Sequence, residues 1–217
     1  MKGSWAVDRD ESWQVIDEHR ARVADLLAGL DDGQWEHPSL CEGWRVRDVG
    51  AHLSLAPTAR LGEVLGAVVA ARGNFDRMIR DVSVARARRP RDQIVTDLRD
   101  VVGSRRLAPS TVWRDPLLDV LVHAQDIVRP LGLRFDSPVE AEVEAAEWVW
   151  RRRFPFFPAR RLRGFRLVAT DADWARGSGT EVRGPVGALL LLSTGRAAGL
   201  RDLDLTPDAE RELGSRL

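Results

Sequence analysis

A single cysteine, Cys41, excludes an intrachain disulfide and any structural zinc site built from several cysteines. A metal held by this chain must therefore sit on nitrogen and oxygen donors. Net charge is also missing. The 33 basic and 33 acidic side chains cancel, which leaves no broad field for phosphate backbones or anionic lipid, so neither nucleic acid nor membrane is an expected partner. No apolar run approaches bilayer length, the longest extending from Val186 to Leu192 with Gly187 inside it. The opening stretch MKGSWAVDRDESW lacks the apolar segment of a signal peptide, and a cytoplasmic location is expected. Lysine is nearly absent, Lys2 being the only one, which says nothing of mechanism.

What remains is an ordinary globular composition: 217 residues, 44% apolar and 30% charged. Ile16, Val23, Leu26, Leu27 and Leu30 recur at helical spacing and predict a helix over 11–30, stopped by Gly33. A second helical stretch runs from about Val46 to Arg72 with a kink at Pro57, and a third opens at Pro90 with Ile94, Val95, Leu98, Val101 and Val102 on one stripe. The segment 73–89 is helix or loop. Asp115 and Pro116 start a fourth helix ended by Gly132, and Ser137, Pro138 and Glu140 read as a capping box for a helix reaching about Arg152. After the Phe- and Arg-rich stretch FPFFPARRLRG the period shortens. GFRLVAT and TEVRG are expected to pair as a hairpin, followed by a very apolar helix after Pro185, a strand at LRDLDL and a last helix opened by Thr206 and Pro207. The predicted class is α+β, with a bundle of four helices plus an extra one over 1–152 and a small α/β domain over 160–217.

Four histidines are present: His19, His37, His52 and His123. In DPLLDVLVHAQDI, Asp119 and His123 are four residues apart and Asp126 lies three further on, so a helix aligns all three. A carboxylate and an imidazole at that spacing can chelate a divalent ion, with His52 the most plausible further ligand from a facing helix. Spacing alone favours a simple hydrogen-bonded His–Asp pair. His19 faces the core of the first helix and is a reserve ligand, whereas His37 beside Pro38 has no expected role.

The stretch QWEHPSLCEGWRVRDVGAHL resembles the N-terminal signature of the mycothiol-dependent maleylpyruvate isomerase family within the DinB-like superfamily, where a Trp-Pro-Cys-Gly-Trp loop precedes a metal-binding histidine. That position is His52. LLDVLVHAQDIVRPLG is similar to the family's second metal segment, which places the remaining ligands at Asp119 and His123. Asp119 stands where the family carries glutamate, so the ion is drawn closer to the helix or held weakly there. Asp126 is then a substitute or a partner that orients a ligand. FRLVATDADWARGSGTEVRGPVGALLLLSTGR resembles the small C-terminal domain found with that bundle.

The resemblance implies an open site of two imidazoles and one carboxylate, with zinc as the first choice of divalent metal and mycothiol as the thiol cosubstrate. It further implies thiol transfer to, or thiol-assisted cis–trans isomerisation of, a small electrophile. A functional arginine is implied near Arg196, which otherwise interacts with the carboxyl end of its own helix. Cys41 reads as a packed small residue with no basic partner, and Trp35 and Trp44 as core residues that border the site. The run Arg86 to Arg91 reads as a solvated loop. Two other readings use the same residues: a non-catalytic metal- or thiol-binding module, and a metal-dependent hydrolase. A homodimer is left open.

Overall fold

The computed structural model describes residues 7–55, 58, 74–108, 111–152 and 154–217. The expected kink at Pro57 and the continuation of the second helix to Arg72 lie outside them. The chain divides into two compact units, Trp13–Phe135 and Asp136–Leu217, the latter joined by residues 7–12.

The first unit is helical. Helix α1 (Arg9–Ala28) buries Ile16, Val23 and Leu27 completely. Gly33 does not stop it. The chain turns after Ala28, and Gly33 lies inside a one-turn helix α2 (Asp32–Glu36), where Asp31 and Gln34 cap each other's backbone and Trp35 is buried. Helix α3 (Val46–Leu53) packs against α2 and three further helices: α4 (Phe75–Arg86), α5 (Arg91–Asp100) and α6 (Arg114–Val128). Gly50 of α3 makes room for the Leu27 side chain of α1, since a Cβ there would lie 2.8 Å from Leu27 Cδ1. The segment left undecided by periodicity is thus mostly helix. Pro90 caps α5 as expected, but Val102 is 37% exposed because the helix ends before it. Helix α6 begins one residue before Asp115. Asp115 accepts the Val112 amide at 2.8 Å, and Trp113 occupies the cap.

In the second unit, helix α7 (Val139–Arg151) has Pro138 at its cap and no side-chain cap, so the Ser137–Glu140 box does not form. It packs against the buried α9 (Val186–Ser193), so the contacts group α7 with the C-terminal elements although the boundary was expected after 152. A one-turn helix α8 (Pro158–Arg161) leads to strand β1 (Gly164–Ala169). The expected hairpin is replaced by a three-stranded sheet ordered β2-β1-β3, with β2 (Ala175–Gly177) antiparallel and β3 (Gly179–Gly184) parallel to β1. Two glycines make that crossing. Gly177 and Gly179 have φ of +84° and +117°, and a Cβ would meet the carbonyl oxygens of Phe165 and Gly164 at 2.3 and 2.0 Å. LRDLDL forms no strand. A 3-10 helix over Ala197–Asp202 precedes a single bridge between Arg183 and Asp204, and Thr206 then caps helix α10 (Pro207–Gly214). No helix among the described residues is long and apolar enough to cross a membrane.

Candidate metal centre

The first unit brings together residues from three helices and one loop. Helix α3 buries Val46, Val49 and Leu53, which turns His52 to another face. Helix α6 buries Leu117, Val120, Leu121, Ala124 and Ile127 and carries Asp119 and His123 on one stripe. Asp119 Oδ1 is 3.3 Å from His52 Nε2 and 3.3 Å from His123 Nε2, and the three ligand atoms lie within 4.8 Å of one another. Tetrahedral ligands at bonds of about 2.0 Å are separated by about 3.3 Å, so this spacing suits one small cation.

The two imidazoles are oriented from behind. Ser83 on α4 donates its hydroxyl to the Ile79 carbonyl at 2.7 Å, leaving an oxygen lone pair to accept His52 Nδ1–H at 3.1 Å. His123 Nδ1–H donates to Asp126 Oδ2 at 2.8 Å, and Asp126 is fully buried. Both rings therefore turn Nε2 toward Asp119, and once that nitrogen is deprotonated the remaining tautomer would offer its lone pair to a cation. Trp44 closes one side. Its ring stands edge-on to His52 at 5.3 Å and stacks on His123 at 6.3 Å.

Charges follow from this geometry. Burial alone raises the Asp119 pKa, yet the adjacent His52 and His123 outweigh it and hold the carboxyl well below its usual range. Burial lowers His123, yet Asp119 and the hydrogen bonds to Asp119, Asp126 and Cys41 raise it well above the ordinary histidine value. A proton on His123 thus balances Asp119 in the metal-free chain.

Cys41 has polar partners at the site. Its thiol donates to Asp126 Oδ2 at 3.1 Å and lies 3.8 Å from His123 Nδ1. The loop is pinned there by Leu40 N–H, which donates to the Asp126 carbonyl at 3.1 Å. His19 is not brought to the site. It is buried in the core, where Nδ1–H donates to Val15 O at 2.9 Å, and burial and Arg22 depress it to about 4. His37 is exposed, with its ring on the Pro38 carbonyl. Trp35 stays in the core against Arg91. Arg196 belongs to the other unit, where it donates to Thr194 O at 2.9 Å and stands beside Arg161. Sequence reading missed Ser83, because its contact with His52 depends on two separate helices meeting. It also missed the Cys41 contact, which depends on a loop folding back over α6.

Residues 16–116 match the family described as Mycothiol maleylpyruvate isomerase N-terminal domain. Over that stretch, just under half of the chain, the sequence is similar to that N-terminal domain. The matched N-terminal domain includes Cys41, Trp44, His52 and Ser83 and stops short of Asp119 and His123. The whole chain resembles the crystal structure of the mycothiol-dependent maleylpyruvate isomerase, with a TM-score of 0.63 at 14% identity over 94% of this chain and 96% of that one. A histidine-to-alanine mutant of that enzyme gives 0.62 at 13% identity with the same coverage. At this identity the likeness establishes the fold alone, a helical domain with a small α/β part. No curated protein matches at significant similarity.

Proposed function

We propose that this chain is a metal-dependent enzyme that uses a low-molecular-weight thiol, mycothiol, to isomerise or to thiolate a small electrophilic substrate. The observation that carries the reading is the donor set. His52 and His123 present Nε2 atoms 3.3 Å from one Asp119 oxygen, each with its opposite nitrogen engaged elsewhere. Three protein ligands leave a coordination position open, which is the pattern of catalytic sites. A divalent ion there, zinc first, supplies a Lewis acid able to take a thiol as thiolate at neutral pH.

The residues of the chain supply the rest. Asp126 keeps the His123 proton at Nδ1, Ser83 does the same for His52, and Trp44 shields one side of both rings from water. The family and the fold neighbours, named for mycothiol-dependent maleylpyruvate isomerase, support the thiol and the isomerisation.

Elemental analysis of the purified chain beside its His52→Ala and His123→Ala variants tests the reading. Near-stoichiometric divalent metal is expected in the parent, lost in both variants while the helical circular dichroism persists. Metal content that is unchanged in both variants overturns the ligand set. Metal-loaded protein that hydrolyses substrates without any thiol points to the hydrolase alternative, and retained metal with no turnover points to the binding module.

A further inference from the structure

The unit formed by residues 136–217 carries its own concentration of charge. Phe157, Arg160, Arg161, Arg163 and Arg216 line an open cavity of about 460 Å³. Four of these five come from the short FPFFPARRLRG stretch, and Arg216 arrives from the last turn of the chain. Two of the arginines are held in place. Arg216 donates to the carbonyls of Arg161 at 3.2 Å and Arg163 at 2.7 Å, pairs with Glu212, and packs over the Phe165 ring at 5.1 Å. Arg161 is half-buried and donates through Nη2 to Ser193 O at 2.8 Å, while its buried Nε has no hydrogen-bond partner.

The charge in this basin is neutralised only at Arg216. Among the described residues no carboxylate pairs with Arg160, Arg161 or Arg163, and Glu212 is the one acidic group on Arg216. The basic run at 86–91 differs, since Asp97 accepts Arg86 and Arg89, and Asp32 accepts Arg91. Burial and then the neighbouring Arg196 charge hold the Arg161 guanidinium below its ordinary range, so like charge is crowded there. Phe157, at φ 48° and ψ 47°, lies in the left-handed region that a bulky side chain avoids, and its ring is 43% exposed at the cavity wall. Repulsion among fixed guanidinium groups and a strained aromatic both cost stability, and a bound anion offsets the first.

We infer that this basin is a binding site for a small oxyanion carrying at least two negative charges, gripped by Arg160, Arg161 and Arg163 above the fixed Arg216. Planar guanidinium forks match phosphate and carboxylate oxygens in pairs, which is why the ligand class is a phosphoryl group or a di- or tricarboxylate. The inference does not depend on the metal reading.

Isothermal titration of the full chain with inorganic phosphate and, separately, with succinate tests it, in parallel on Arg160→Ala/Arg163→Ala and on His52→Ala. Both arginines are exposed, so the double variant keeps its fold. Saturable one-to-one binding is expected, weakened at least roughly tenfold in the double arginine variant and unchanged in His52→Ala. Tighter phosphate binding assigns a phosphorylated ligand, and tighter succinate binding a polycarboxylate. No saturable binding of either anion, equal binding by the double variant, or loss in His52→Ala overturns the proposal.

Discussion

Asp126 is the residue on which the proposed centre turns most, although it is not among the three ligands. It is fully buried, and one of its oxygens accepts both His123 Nδ1–H and the Cys41 thiol. An amide in its place can still fill the space but accepts less strongly, so the His123 ring loses basicity and orientation. Asp126→Asn is therefore expected to weaken zinc affinity roughly 10- to 100-fold with little loss of helix, measured by competition with a chromophoric chelator. An affinity equal to the parent's would remove Asp126 from the site. His19 makes a different prediction. Its folded pKa of about 4 lies below the unfolded value of about 6.5, so the unfolded chain binds the extra proton first. Stability is whole above pH 6.5 and declines as pH falls toward 4. Urea unfolding at pH 7 and pH 5 should show the parent losing roughly 2 kcal/mol more than His19→Gln, in which the amide can still donate to Val15 O. Equal losses would mean that His19 is protonated in the folded state. Sequence spacing was enough to align Asp119, His123 and Asp126, because i, i+4 and i+3 steps share a face of any helix. It was not enough to choose between an ion pair and a chelate, because that choice needed the position of His52.

At the scale of elements, the crossing between β2 and β3 shows a limit of pattern reading. Alternation in GFRLVAT and TEVRG marks strands correctly, yet period-two patterning is the same for parallel and antiparallel neighbours. Direction was decided by the Gly177-Ser178-Gly179 link, whose positive φ values carry the chain across β1. Gly179→Ala places a methyl group 2.0 Å from the Gly164 carbonyl oxygen at φ +117° and should cost roughly 3 kcal/mol. Ser178→Ala, at an exposed position in the same link, should stay within about 0.5 kcal/mol. Chemical denaturation of both variants provides the check, and a Gly179 loss no larger than that of Ser178 would contradict the described crossing. Helix starts show the same limit. Pro90 and Thr206 cap their helices as expected from sequence, whereas Pro138 takes the cap that Ser137 was expected to occupy.

At the scale of the whole molecule, the proposed ligands all belong to the unit Trp13–Phe135, so metal binding should stabilise that unit by linkage. An ion at 100 times its dissociation constant contributes about 2.7 kcal/mol, which for a chain of this size raises Tm by roughly 5 to 10 °C. Thermal scans with zinc and with chelator should show that rise in the parent and none in His52→Ala. Hydrogen exchange should place the added protection between Trp13 and Phe135. The contacts divide the chain between Phe135 and Asp136. Sequence composition changes after residue 152, but α7 packs on α9, so its contacts lie with the C-terminal elements. By itself the sequence determined what is local: where the main helices and the strands β1 and β3 lie, the absence of a cysteine-built site, and the shared face of Asp119 and His123. Only the tertiary structure decided what depends on distant segments meeting: the approach of His52 to Asp119, the Ser83 and Cys41 contacts, the strand directions and the partners of α7. A local pattern fixes which face a side chain points from, and the fold of the intervening chain fixes what it points at.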